Sequence, residues 1–342
     1  MSTPNSSSPT PIPEPVVDGR VNNTSKRASF LQRILRARET GIALVVILIM
    51  IGLSLATPNF FTPENLAIVA RVIALSAIYA MGETMVILLG GIDLSVGSVG
   101  ALTGVVTVFV MVTMQMPIWV GILAGLMVGA LVGFLNGILI IKTKVAPFII
   151  TLGMMGLARG IALVLTKGSA LSGLPGAFLQ LGQGFIFTYI PIPVAIAVVL
   201  ALGLHIFLSR TTMGRRIYFT GSNEDAAVLS GINVNKIKVI VFTACAALAA
   251  WEAIIETARL STAMPSFGTG YELTAIGAVI IGGASLMGGE GTVLGTILGA
   301  TLLGLISNGL ILLGISTYWQ QVFSGGIIIM AVALDTWRRR RS

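Results

Sequence analysis

The sequence predicts an all-α, polytopic membrane protein with about ten transmembrane helices and both termini in the cytoplasm. Three observations carry that expectation. The 342 residues are 55% hydrophobic and only 10% charged, with mean hydropathy +0.96. Soluble domains carry about a quarter charged residues. Apolar runs near the ~20 residues that a spanning helix needs recur along the chain. The basic residues gather at the ends of these runs, the pattern that orients membrane helices.

The spans follow in order. The first runs from Ile42 to Ala56 and is closed by Pro58. Then come Leu66 to Leu89, Val96 to Met114, Ile118 to Ile141 and Ala146 to Leu165. After a Gly- and Pro-rich loop follow Ile190 to Leu208, Val239 to Ala258, Leu273 to Met287, Val293 to Leu313 and Tyr318 to Leu334. Lys26, Arg27, Arg33, Arg36 and Arg38 precede the first span and place the N-terminus inside. Alternation then puts Lys142 and Lys144, the segment from Arg210 to Lys238, and Arg338 to Arg341 on that same side. Residues 1–40 are expected to form a disordered cytoplasmic tail, rich in Ser and Pro at its start and without the apolar core of a signal peptide. Residues 41–337 form the membrane domain, and 338–342 a basic cytoplasmic end. The net charge of +8 is read as orientation in a lipid bilayer rather than affinity for nucleic acid.

A polar island, Ser209 to Lys238, interrupts the apolar chain. Within it Ser222 or Asn223 can N-cap a helix, with Glu224 and Asp225 in the first turn where the helix dipole favours anions. Ala226, Ala227, Val228 and Leu229 form the body, and Gly231 is a natural stop. A short capped helix held on the cytoplasmic face offers a docking surface to a partner, with an ordinary connecting loop as the alternative. Opposite it, Lys167 to Tyr189 falls outside and carries one charge. It is either a plain connector or a surface for an external partner.

Two turns share a character. Gly90-Gly91-Ile92-Asp93-Leu94-Ser95 joins the second and third spans, and its double glycine permits a sharp reversal. Ile281-Gly282-Gly283 to Thr292 precedes the ninth. Both follow a Val-Ile run, a pattern open to an internal repeat. Arg71, Glu83, Arg159, Glu252 and Glu256 are ionisable groups within spans, and such groups are functional candidates by default. Arg71 lies near an outer end, and Glu256 can pair with Arg259 three residues on. Glu83 and Glu252 lie deeper and either line a polar path or bond to a neighbour. Asn136 and Asn308 are amides that can bond a hydroxylated solute or another helix. Phe148 is among the few aromatic rings available to a sugar. Cys245, the sole cysteine, and His205, the sole histidine, allow neither an internal disulfide nor a metal site. No phosphate-binding loop occurs, so the chain is expected not to bind ATP by that route, and the lack of a zinc-protease helix or serine-hydrolase elbow argues against a membrane protease or lipase.

These residues carry a resemblance. Gly90 to Ser98 is similar to the signature of the permease subunits of bacterial ABC sugar importers, the class that takes up ribose, xylose, galactose and autoinducer-2. Gly221 to Ala227 and Leu229 to Val234 resemble the cytoplasmic loop of that family. Thr257 to Ser261, Gly268 to Leu273, Gly282 to Gly295 and Asn308 to Leu310 match it too. The likeness covers nearly everything after the first forty residues, and in the second half it is nearest to the ribose permeases. It implies a non-catalytic subunit in the bacterial inner membrane, paired with a second permease copy or a homologue of it. ABC ATPases dock below, carrying ATP and Mg2+, and a periplasmic solute-binding protein delivers solute from above. The coupling residues would be Gly221, Asn223, Glu224, Asp225, Ala226, Ala227, Leu229 and Gly231, and the solute a ribose-like pentose or related polyhydroxylated compound. Glu83, Asp93, Asn136, Phe148, Glu252 and Asn308 are the candidates for the pathway. One departure stands out: Trp251 and Glu252 occupy positions where the family carries small residues. The competing classes are a secondary carrier driven by protons through Glu83 or Glu252, which needs no docking helix, and a membrane scaffold.

Overall fold

The computed structural model describes residues 38 to 316, together with Trp319, Val322, Gly325, Gly326 and Ile329. The expected tail, save its last three residues, and the basic C-terminus lie outside the described residues. Twelve helices are described. They are α1 Arg38–Ala56, α2 Pro63–Leu88, α3 Val96–Val108 with a π-helical turn Phe109–Thr113, α4 Ile118–Thr143 and α5 Pro147–Thr166. Then come α6 Gly176–Gln183, α7 Ile192–Arg210, α8 Thr212–Ser222, α9 Glu224–Leu229, α10 Val234–Leu260, α11 Tyr271–Ile281 and α12 Val293–Leu312. A two-stranded antiparallel hairpin, β1 Phe185–Ile186 and β2 Ile190–Pro191, lies between α6 and α7.

Eight of these are long and apolar enough to cross a membrane: α1, α2, α3 with its π-helical extension, α4, α5, α7, α10 and α12. They coincide with eight of the expected spans. The expected span Leu273 to Met287 differs. Its helix, α11, has 11 residues, about 16 Å at 1.5 Å per residue, and cannot cross alone. Gly282 and Gly283 end it, and the chain turns through positive φ at Gly283, Gly288 and Gly289. The tenth expected span, Tyr318 to Leu334, lies outside the described residues except for the five positions named above.

The helices sort into an inner and an outer set. α3 is the most enclosed, with 72% of its span buried, and α2, α10 and α12 follow. α1, with 6% buried, turns Leu44, Leu48 and Leu55 outward. Apolar exposure of this kind is what lipid accepts and water does not.

Small residues bring the inner helices together. On α4, Gly121, Gly125, Gly129, Gly133 and Gly137 recur every four residues, one glycine per turn on a single face, and all five are buried. That face packs on α3 and along α10. At Gly133 an added Cβ would overlap the carbonyl oxygen of Phe242 and lie 2.6 Å from Cβ of Ala246. Only a glycine allows the two backbones to run this close.

Terminal caps fix the other boundaries. Thr62 caps α2, its hydroxyl accepting from Asn65 N–H, and Thr292 caps α12 by accepting from Gly295 N–H. Asn65 and Asn308 exchange side-chain amide hydrogen bonds of 3.3 and 2.8 Å, which clasp α2 to α12.

Candidate functional site

The polar island folds as two helices, where the sequence reading found one. Thr211 caps α8, its hydroxyl accepting from Gly214 N–H at 3.0 Å. α8 buries Ile217 and Thr220. The spacing of Met213, Ile217 and Thr220 was the available signal for this helix, hidden by Arg215 and Arg216 between them. Asn223 then takes an extended conformation, φ −160°, and breaks the helix. Of the two expected caps for α9 it is Asn223 that serves, Oδ1 accepting from Ala226 N–H at 2.9 Å. Gly231, φ +76°, stops α9. Its N–H donates to Val228 O and Ile232 N–H to Ala227 O, both at 3.0 Å. That is the paired closure of a left-handed C-terminal cap.

The coupling candidates divide by exposure. Ala227 is fully buried and presents nothing outward. Gly221 and Ala226 are partly covered, while Asn223, Glu224, Asp225, Leu229 and Gly231 are exposed. Val228 is 57% and Leu229 89% exposed, an apolar pair projecting from a polar face. Lys238 on α10 holds Glu224 at 2.6 Å. The pair is exposed enough to contribute at most about 1 kcal/mol, but it fixes α9 against the base of α10.

A buried polar centre lies behind the turn after α2. Asp93 N–H donates to Glu83 Oε1 at 3.0 Å. Asp93 Oδ1 accepts from Ser95 N–H at 2.8 Å and from Ser95 Oγ at 2.5 Å. Asn136 Nδ2 on α4 donates to Ser95 Oγ at 3.0 Å, and Cys245 Sγ on α10 lies 3.8 Å from Glu83 Oε2. Thr151 on α5, absent from the sequence candidates, completes the clamp: its hydroxyl accepts from Leu94 N–H and contacts Ile92 O. The structure therefore brings Glu83, Asp93 and Asn136 together. Their observed work is to hold an irregular turn where its backbone is enclosed by protein, the setting that membrane depth demands. Ser95 is the N-cap residue of α3 but makes no side-chain cap bond; its hydroxyl is spent on Asp93.

Removing the acceptor should be costly. Asp93→Ala leaves Ser95 N–H and Oγ–H buried without it, about 1–3 kcal/mol for each group so orphaned. Asp93→Asn keeps a carbonyl oxygen in place. Thermal unfolding of the detergent-solubilised protein should show a clearly lower midpoint for Ala than for Asn. Equal midpoints would mean that the Asp93 bonds carry no stability.

Glu252 belongs to a second centre. It is fully buried on α10 and faces Tyr79 of α2. Neither carboxylate oxygen nor the Tyr79 hydroxyl has a hydrogen bond of ordinary length. The Tyr79 ring meets Tyr271 edge-on, centroids 5.7 Å apart. One turn further along α10, Arg259 pairs with Glu256 through two nitrogens, as the sequence spacing suggested. Arg159 donates to the carbonyls of Pro265 and Phe267. Arg71 donates to Gln183 O at 2.9 Å and lies 4.5 Å over the Phe185 ring. The side chains of the two remaining pathway candidates join neither centre. Asn308 is spent on Asn65, and Phe148 is half exposed on α5. A recess of about 290 Å3 between α2, α7 and α12 is lined by Ala, Ile and Val alone and offers a hydroxylated solute no side-chain hydrogen bond.

The comparisons agree with this architecture. The family model described as branched-chain amino acid transport system / permease component matches residues 65–332. The chain is 43% identical to the ribose import permease protein RbsC of Escherichia coli over 321 residues, 91% of this chain and 97% of that protein. It is 41% identical to the ribose import permease protein RbsC of Bacillus subtilis, over 87% and 92%. It is 37% identical to the D-allose transport system permease protein AlsC of Escherichia coli, over 85% and 89%. No solved structure matches the chain. The chain belongs to this permease family: it is a multi-pass membrane permease of the ABC sugar-transport type, a transport component rather than an enzyme.

Proposed function

We propose that the chain is the membrane-spanning subunit of an importer for ribose or a closely similar pentose, driven by a separate ATPase. The observation that carries this reading is the 43% identity to a ribose import permease across nearly the full length of both chains. The cytoplasmic relay fits it. Six crossings, α1 to α5 and α7, precede α8 and α9, so an even count returns the chain to the side of its N-terminus. We place that side in the cytoplasm, because Lys142, Lys144, Arg210, Arg215, Arg216, Lys236 and Lys238 lie there. The membrane is then the inner one of a bacterium.

In this reading α9 seats Val228 and Leu229 in a groove of the ATPase, which holds the ATP and Mg2+. A periplasmic solute-binding protein meets the opposite face. There Phe187 and Tyr189 are each 85% exposed at the tip of the β1–β2 hairpin. A second permease copy completes the pathway, in keeping with polar centres that are sealed within one chain. Glu83, Asp93 and Asn136 hold the turn that moves with it. Glu252 and Tyr79 are the groups assigned to the pathway. A buried carboxylate whose polar neighbour is a single tyrosine hydroxyl is costly, and a state in which α10 shifts and wets it relieves that cost. Transport is then alternating access, with ATP binding by the partner favouring one of two packings.

Uptake into proteoliposomes holding this chain with its ATPase and binding protein tests the solute. Labelled ribose should accumulate with saturation and be displaced by unlabelled ribose before hexoses or polyols. Preferential displacement by a hexose would move the assignment to another sugar.

A further inference from the structure

We propose that the C-terminal end of α8 is the lever that carries movement of α9 into the membrane, through a backbone junction with two glycine turns. This rests on the reading of α9 as the ATPase-docking helix.

Three chain segments meet at one place. The turn after α2, Leu88 to Gly91, and the turn before α12, Met287 to Gly291, are joined by Gly289 N–H donating to Leu88 O at 2.9 Å. The end of α8 lies on both. A Cβ on Gly221 would overlap Leu88 O and stand 2.9 Å from Gly289 N. A Cβ on Gly288 would stand 2.6 Å from Gly221 O and 2.9 Å from Gly90 N. Tyr218 Oη donates to Gly291 O at 2.7 Å. Gly90, Gly288 and Gly289 all have positive φ, +74°, +87° and +75°, which brings these backbones together without strain.

The consequence is mechanical. Side chains absorb small displacements by changing rotamer; backbone in contact with backbone does not. Only Ser222 and Asn223 separate Gly221 from α9, so a shift of the docking helix reaches both turns directly. Both turns then act on neighbouring residues of α2. The first leads to Asp93, which bonds Glu83. The second leads to the cap of α12, and Thr296 one turn later shares a 2.8 Å hydrogen bond with Thr84. One input is thus delivered to Glu83 and Thr84 from two sides, in the enclosed half of α2.

Tyr218→Phe and Gly288→Ala test the junction in the complete transporter. Tyr218→Phe adds no atoms and removes one bond; Gly288→Ala wedges the contact. The readouts are ATPase co-purification and ATP hydrolysed per solute imported. Co-purification should match wild type, while ATP consumed per solute rises severalfold for Tyr218→Phe and at least tenfold for Gly288→Ala. An unchanged ratio, or loss of the ATPase from the complex, overturns the proposal. If Gly288→Ala does not fold, Tyr218→Phe decides alone. Failure of the underlying reading is separate: it would show as a complex that survives disruption of α9 itself, whatever the ratio for Tyr218→Phe.

Discussion

Leu229→Asp should weaken ATPase association by at least about thirtyfold and abolish ATP-driven uptake, while leaving the membrane domain folded. Leu229 is 89% exposed on α9, so a carboxylate there meets water in the isolated permease and costs little stability. In a complex it would be pressed into an apolar groove. Loss of one such anchor typically costs 2 kcal/mol or more in binding, which is about thirtyfold in affinity. Val228→Asp should act in the same direction. Ala227 is the wrong position for this test despite its place among the coupling candidates. It is fully buried, and enlarging it would disturb the seating of α9 before any partner arrived. Co-purification of the ATPase from detergent and uptake in vesicles are the two readouts. Wild-type association in both Asp variants would mean that the partner docks elsewhere.

Gly133→Leu should remove most of the folded protein. At this position the added side chain meets Phe242 O, Ala246 Cβ and Thr243 Cα of α10, atoms that cannot turn aside. Overfilling a packed contact by even one methyl group costs about 1–3 kcal/mol, a large share of a total stability of about 5–15 kcal/mol. Leucine adds four carbons, and α4 and α10 would have to part along the helix. Gly133→Ala should be milder, with a lowered unfolding midpoint but recoverable protein. Gly153→Leu on α5 is the control, because nothing lies within 4 Å of its Cβ position. Monodisperse yield on size exclusion, with thermal unfolding, checks the order Gly153→Leu, Gly133→Ala, Gly133→Leu. A Gly133→Leu protein as well behaved as the control would contradict the packing described for α4 and α10.

The sequence made the membrane helices legible because lipid imposes a length and a polarity that few residues can hide. Where α4 or α10 begins is read within a few residues from the apolar run alone. The span expected at Leu273 to Met287 was misread for a physical reason. The turn at Gly282 to Gly289 is itself apolar and small, so hydropathy carries through it although the helix stops at Ile281. α9 was legible from its cap, its first-turn acids and its stop, because each is a local backbone requirement. α8 was not, since its inward face, with Ile217 and Thr220 buried and Met213 partly so, is short and set among arginines.

Sites fared differently from elements. Glu83, Asp93 and Asn136 stand out as polar residues in apolar runs, but no spacing rule brings residues 83, 93 and 136 together. That grouping depends on how α2, α4 and the Asp93 turn pack. Asn308 reads equally as a solute ligand or a helix clasp until Asn65 is seen opposite it. The glycine face of α4 was in plain view as a four-residue repeat. It becomes informative once α10 is known to be its partner. The junction at Gly221 is made mainly of backbone atoms, and composition cannot show it.

In the proposed function this permease moves its solute only when an ATPase drives it through α9. The most direct measurement is labelled ribose uptake into proteoliposomes of the complete transporter, comparing internal ATP alone with an imposed proton gradient alone. Accumulation with ATP and none with the gradient is the predicted result. Accumulation on the gradient without ATP would contradict it and return Glu83 and Glu252 to the role of proton carriers.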